Sequence, residues 1–323
     1  MTKPSFLDAM NQKILLFDGA MGTEIQKFDP KPQDFPDGKD GFNDGLVMTH
    51  PEWIQKIHRS YLEAGADCIE TNSFGSNKLK LDEYGYGDKT VEINKKIAEL
   101  AVNVTKEFSD KPRYVVGSMG PTGFLPSSND PDLGQKPLDE IKDAYALQAE
   151  GLILGGVDAL LIETSQDILE VKLAVEGAQE AMKKTGKKIP LIANVTLDQY
   201  GKMLLGTNVQ AAYTTVSDMG IDVFGLNCST GPIEMTPSVR WLDEQNELNL
   251  LVVPNAGMPE NEGGHAVYKM TPQKMADALR DFISKYQRVR IIGGCCGTNP
   301  AHIAALRKVI DEKGQAPEQI KSA

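Results

Sequence analysis

The sequence predicts an α/β fold in one domain, a (β/α)8 TIM barrel, on three observations. Eight short apolar or β-branched runs alternate with helix-patterned segments. A Gly-Xaa-Asp triplet recurs three times at the same place in that alternation. Three long segments rich in Pro, Gly, Asp and Asn all follow strands rather than helices. The length agrees. A chain of 323 residues exceeds the roughly 250–300 at which single cores stop growing, yet eight strand–helix units with long loops use it as one body. Residues 1–312 are assigned to the barrel, and 313–323, polar and unpatterned, to a C-terminal tail or the start of a linker.

Strands are expected at Ile14–Phe17, Cys68–Thr71, Tyr114–Gly117, Ala159–Ile162, Leu191–Asn194, Val223–Leu226, Leu250–Pro254 and Arg290–Gly293. Such near-continuous apolar runs suit parallel strands buried on both faces. Between them lies helical periodicity: around Asp139, Ile141, Tyr145, Leu152 and several alanines fall on one stripe. Gly65-Ala66-Asp67, Gly156-Val157-Asp158 and Gly220-Ile221-Asp222 each end a helical stretch and precede a strand. Glycine suits a left-handed helix terminus. Five residues beyond each Asp comes a polar side chain, Asn72, Glu163 or Asn227. Each unit thus delivers polar groups to the C-terminal end of a strand, where barrel active sites sit. The loops Lys27–Gly45, Pro121–Pro137 and Gly257–Tyr268 would crowd the same rim, and long structureless loops commonly serve as lids or binding segments.

Composition removes several classes of function. The net charge of −11, from 45 acidic and 34 basic residues, argues against a nucleic-acid surface, and no Lys/Arg run suggests an anionic membrane patch. The segment MTKPSFLDAMNQK has no apolar core of a signal peptide, and no run approaches the ~18 apolar residues of a membrane span. A cytoplasmic location is expected. Four cysteines, two of them adjacent, make no disulfide framework in a chain this long. In a reducing compartment such cysteines are metal ligands or catalytic thiols.

Cys228 follows the sixth strand, and Cys295 and Cys296 follow the eighth. In a barrel both strands end on one rim, so three thiolates converge into a tetrahedral zinc site with one position open, the mark of a catalytic zinc. Gly293, Gly294 and Gly297 permit the turn that two adjacent ligands need. The other readings are small buried residues or a redox pair, or a phosphate cradle at Gly293-Gly294. Cys68, inside a strand, reads as core. Asp18-Gly19-Ala20-Met21-Gly22-Thr23 ends the first strand. Its carboxylate can hold an ammonium while its N–H groups approach an anion; the alternative is a strand–helix turn with an N-cap. Glu163 emerges from the fourth strand and needs solvent, a cationic ligand or an internal Lys or Arg partner. His50, His58, His265 and His302 show no metal-ligand spacing, and no Ser/His/Asp arrangement stands out.

Together, DGAMGT, YLEAGADCIETNSFG, GLNCSTGP, PNAGMP and GGCCGTNPAHI resemble the homocysteine S-methyltransferase family, nearest its cobalamin-dependent methionine synthase branch. The resemblance runs from about Ile14 to Ile310. It implies zinc on Cys228, Cys295 and Cys296, and an amino-acid site formed by Asp18, Gly19, Ala20, Met21 and Glu163. It also implies that Asn255 can take the fourth zinc position when substrate is absent. The implied chemistry is transfer of a methyl group to the thiol of homocysteine, giving methionine, without a protein general base. An ordinary thiol keeps most of its proton near neutral pH, and metal coordination removes it. The implied donor is methylcobalamin, a corrinoid presented in trans by a corrinoid protein or cobalamin-binding domain. S-methylmethionine or betaine are alternative donors, and a non-catalytic zinc-binding barrel is the alternative of another class. One departure stands out: no Asp-x-His-x-x-Gly cobalamin motif occurs. Either an excised module or a natural single-domain protein is expected.

Overall fold

A computed structural model describes residues 3–263 and 265–315. Eight strands form one parallel sheet: β1 Leu15–Leu16, β2 Cys68–Glu70, β3 Tyr114–Met119, β4 Ala159–Ser165, β5 Leu191–Val195, β6 Val223–Asn227, β7 Asn249–Val253 and β8 Val289–Ile292. Their order is β1-β8-β7-β6-β5-β4-β3-β2, the sequential winding of a (β/α)8 barrel. Every expected strand is present: the starts of β2 to β6 coincide with those expected, and the other bounds differ by one to three residues. β1 is only two residues long, although Phe17 N–H still donates to Ile292 O at 2.8 Å.

Alternation along the strands separates two apolar layers. Leu15, Phe17, Cys68, Tyr114, Val116, Leu161, Ile192, Val223, Leu251 and Ile291 point inward and fill the barrel. The intervening residues, such as Leu16, Ile69, Val115, Leu160 and Ile162, pack against the surrounding helices. Cys68 is core, as its position in a strand suggested. The helix Phe6–Gln12 closes the N-terminal end of the barrel: Phe6, Ala9 and Met10 join the inner layer, and Phe6 meets Tyr114 edge-on at 5.8 Å.

The Gly-Xaa-Asp repeat has a shared geometry. Gly65, Gly156 and Gly220 adopt φ of +101°, +92° and +79°, the left-handed region that glycine enters without steric cost. Each Asp then clamps the preceding strand. Asp67 N–H donates to Leu16 O (2.7 Å) and its Oδ2 accepts from Leu16 N–H (3.1 Å). Asp158 does the same with Val115 (2.7 and 2.8 Å), and Asp222 with Leu191 (2.8 and 2.9 Å). At the seam between β1 and β2 the Asp67 clamp joins the two strands at one end. At the other end Glu70 N–H donates to Asp18 Oδ2 at 3.1 Å.

Two of the loops expected to be structureless carry short elements. Residues 27–45 contain three 3-10 turns, Pro32–Asp34, Pro36–Gly38 and Asn43–Gly45. Glu260–Glu262 pairs antiparallel with His265–Val267 inside the loop after β7. The last helix, Pro300–Gln315, includes the first three residues assigned to the tail, and Lys313 Nζ donates to Ile283 O. Residues 316–323 lie outside the described residues. No helix among the described residues is long and apolar enough to cross a membrane.

Candidate metal and substrate site

The three cysteines come together. Cys228 leaves β6 in a left-handed turn, with φ of +60° at Cys228 and +62° at Ser229. Non-glycine residues there carry strain of about 1–3 kcal/mol each and concentrate at functional sites. Cys228 N–H donates to Val253 O on β7 (3.2 Å). Cys295 and Cys296 follow β8, where Cys295 N–H donates to Pro254 O (2.8 Å) and Cys296 N–H to Asn255 Oδ1 (3.1 Å). The Sγ atoms of Cys228 and Cys296 lie 3.8 Å apart, those of Cys295 and Cys296 4.0 Å, and all three within 4.8 Å of one another. A tetrahedral zinc with Zn–S bonds of about 2.3 Å has S···S edges of about 3.8 Å. The donor set therefore fits a zinc ion, and all three thiols are free and only partly buried. The Cys228 and Cys295 thiols, joined by the Tyr268 hydroxyl, hydrogen-bond to Cys296 and hold it well below the ordinary thiol range. Asn255 is 1% exposed beside them, one lone pair of its Oδ1 engaged by Cys296 N–H.

Opposite the cysteines, three acids point into the same mouth. Glu163 accepts from Ser118 Oγ through Oε1, and from Asn227 Nδ2 through Oε2 (3.2 Å). Thr164, at φ +58°, is tied to the Asn227 carboxamide by two bonds of 2.8 Å. Burial pushes Glu163 up to about 6, although Ser118 pulls the other way. Burial also raises Asp18 and Glu70 well above the carboxylate range. Among the described residues no Lys or Arg pairs with any of the three. The internal ion pair that could have explained Glu163 is therefore missing. Asp18 is no helix cap either, because the helix Met21–Gln26 begins after Ala20 without a side-chain cap.

Gly19 has a packing cause: a Cβ there would meet Thr298 Oγ1 at 2.8 Å and the Tyr61 ring at 2.9 Å. Ala20 N–H donates to Thr298 Oγ1 (3.2 Å), and Thr298 Oγ1 donates to Cys295 O (2.7 Å). One hydroxyl thus joins the Asp18–Met21 turn to the cysteine turn. Tyr61 Oη donates to Ala20 O at 2.8 Å. Thr298, Tyr61, Tyr268 and Glu70 were not singled out in the sequence. Only the alternation along β2, which sets Glu70 on the face of Cys68, signals any of them. Among the described residues no histidine joins the cysteine cluster: His58 is buried within the helix Pro51–Glu63, and His302 bonds to Met270 O and Asn299.

The model of the family described as homocysteine S-methyltransferase matches residues 15–310. The chain belongs to the homocysteine S-methyltransferase family. Within it, the chain is 43% identical over 306 residues to a methionine synthase of Mycobacterium tuberculosis and 41% identical to that of Mycobacterium leprae. Each match covers 94% of this chain but 25% of the relative, so the chain spans about a quarter of their length. Among solved structures, the Escherichia coli homocysteine methyltransferase MmuM superposes in its metallated form with a TM-score of 0.73 at 23% identity. That match covers 94% of this chain and 98% of MmuM, and at this identity the likeness carries the fold.

Proposed function

We propose that this barrel transfers a methyl group to the thiol of homocysteine, with zinc on Cys228, Cys295 and Cys296 and a methyl-corrinoid as donor. The observation that carries the reading is one mouth holding two complementary ends. Three thiols stand at the edge spacing of a zinc tetrahedron, and facing them are acids without a cationic partner. A non-catalytic zinc barrel has no use for the second set. An amino acid whose side chain ends in a thiol matches both.

When bound to Cys228, Cys295 and Cys296, zinc would supply the acidity that lets the substrate thiol release its proton to solvent. The remaining work falls to the chain. Glu163, oriented by Ser118 and Asn227, and Asp18, held by Glu70 N–H, receive the ammonium. N–H groups of the Ala20–Met21 turn receive the carboxylate; Ala20 reaches it only by giving up Thr298 Oγ1. The sulfur attacks the donor's methyl carbon in line, and the electron pair of the broken bond leaves with the donor. No side chain has to act as base.

Glu163→Gln is expected to weaken homocysteine binding about tenfold or more, since a charge-assisted hydrogen bond contributes about 1.5–3 kcal/mol. Zinc content should stay the same. Glu163 must be ionised to hold the ammonium, so wild-type affinity should fall as pH drops through about 6. Calorimetric titration checks both, and unchanged affinity in the variant would return Glu163 to a structural role.

The rim supports a large donor. Of nine large apolar side chains exposed among the described residues, eight lie at the C-terminal face: Phe74, Leu133, Leu138, Tyr200, Leu204, Leu205, Ile233 and Met258. Tyr200 and Ile233 are 77% and 67% exposed. Apolar side chains exposed on this one face are what a protein-borne corrinoid could cover, and a small sulfonium donor has no need of them. Methylcobalamin, free or on a partner, should therefore convert homocysteine to methionine faster than S-methylmethionine or betaine. Equal or faster turnover with either small donor overturns this choice and leaves the homocysteine assignment intact.

A further inference from the structure

Glu70 touches both of the acids assigned to the ammonium. On β2, Cys68 faces the barrel interior and Ile69 the helices, so Glu70 faces inward at the mouth. Its N–H donates to Asp18 Oδ2 at 3.1 Å, and its carboxyl lies in hydrogen-bonding contact with that of Glu163. Two carboxyl groups in contact without a cation cannot both be ionised. The oxygens of Glu163 already receive Ser118 Oγ and Asn227 Nδ2, donors that favour the charged form there. The proton of the pair therefore resides on Glu70.

We propose that Glu70 is a positioning residue for the amino-acid end of the site, holding Asp18 through its backbone N–H and Glu163 through a protonated carboxyl. The Asp18 and Glu163 carboxyl groups then face the incoming ammonium together, and its positive charge favours the ionised form of both. Without the Glu70 carboxyl, Glu163 loses the partner on its β2 side and can swing toward water. This inference rests on the homocysteine reading above.

The test compares Glu70→Ala, which removes the donor, with Glu70→Gln, whose amide still donates to Glu163. Zinc-loaded wild type and variants are titrated with L-homocysteine, and steady-state turnover is measured with methylcobalamin. Glu70→Ala should raise both the Kd and the KM for homocysteine about tenfold, with kcat at saturation and zinc content unchanged. Glu70→Gln should restore both to within about twofold of wild type. Where the alanine variant fails to fold, Glu70→Met, matched in volume and lacking a donor, replaces it with the same expectation. Wild-type affinity in the donor-less variant overturns the proposal, and so does a Glu70→Gln variant as weak as Glu70→Ala. If wild type itself binds no homocysteine, the functional reading falls, and that result is distinct from a wild type that binds beside an unaffected variant.

Discussion

Cys295→Ser should reduce bound zinc from about one ion per chain to a small fraction of that, and turnover at least about 100-fold. Loss of a group that merely supports a ligand typically costs 10–100-fold in metal affinity or activity, so loss of a ligand sets a larger effect. Serine keeps the volume but supplies a hard, protonated oxygen where a soft thiolate is needed. The fold should survive, because Cys295 sits in a turn beyond β8 and the inner apolar layer lies below it. Elemental analysis and circular dichroism on the same preparation separate the two effects. Zinc retained at wild-type level would falsify the assignment of this ligand.

The second large effect concerns stability. Asp67 is 0% exposed and carries Lys13 (2.9 Å) and Lys111 (2.8 Å) on Oδ1, and Arg307 (3.0 Å) with Leu16 N–H (3.1 Å) on Oδ2. Asp67→Ala strands three cations around an empty position and opens the β1–β2 seam. Breaking a buried ion pair costs about 3–5 kcal/mol; the cations keep some access to water, which places this case near about 3. Urea denaturation measures it, and a loss below about 1 kcal/mol would refute the seam argument. Burial alone would raise this carboxyl, but Lys111 and Lys13 overcome it and hold it below the ordinary range. A depressed carboxylate contributes its full stability above the unfolded value of about 3.9. That contribution disappears as pH falls through the lower folded value, so the alanine variant should lose its disadvantage in strong acid.

The sequence made some features legible because they repeat or are chemically rare. Eight apolar runs located eight strands, three glycines before aspartates marked left-handed turns, and Cys228 with Cys295-Cys296 converged as the barrel topology required. What stayed hidden depends on neighbours far along the chain. Glu70 looked like one more residue inside a strand expected at Cys68–Thr71, since nothing local indicates that it meets Glu163, 93 positions on. Thr298 bridges to Ala20 across 278 positions, and Tyr61 to Ala20 across 41. The aspartates of the repeat were noticed for their spacing, but their bonds to the preceding strand exist only once the sheet has formed. The paired strands Glu260–Glu262 and His265–Val267 have too little apolar alternation to signal themselves in the sequence.

The aspartate clamps lie at the end of the barrel away from the cysteines, and so act as hoops around staves. Lengthening or exchanging a segment at the open end leaves each hoop fastened. Segments at the open end can therefore be exchanged without rebuilding the cask, and a chimera carrying another family member's rim loops should inherit this protein's resistance to urea.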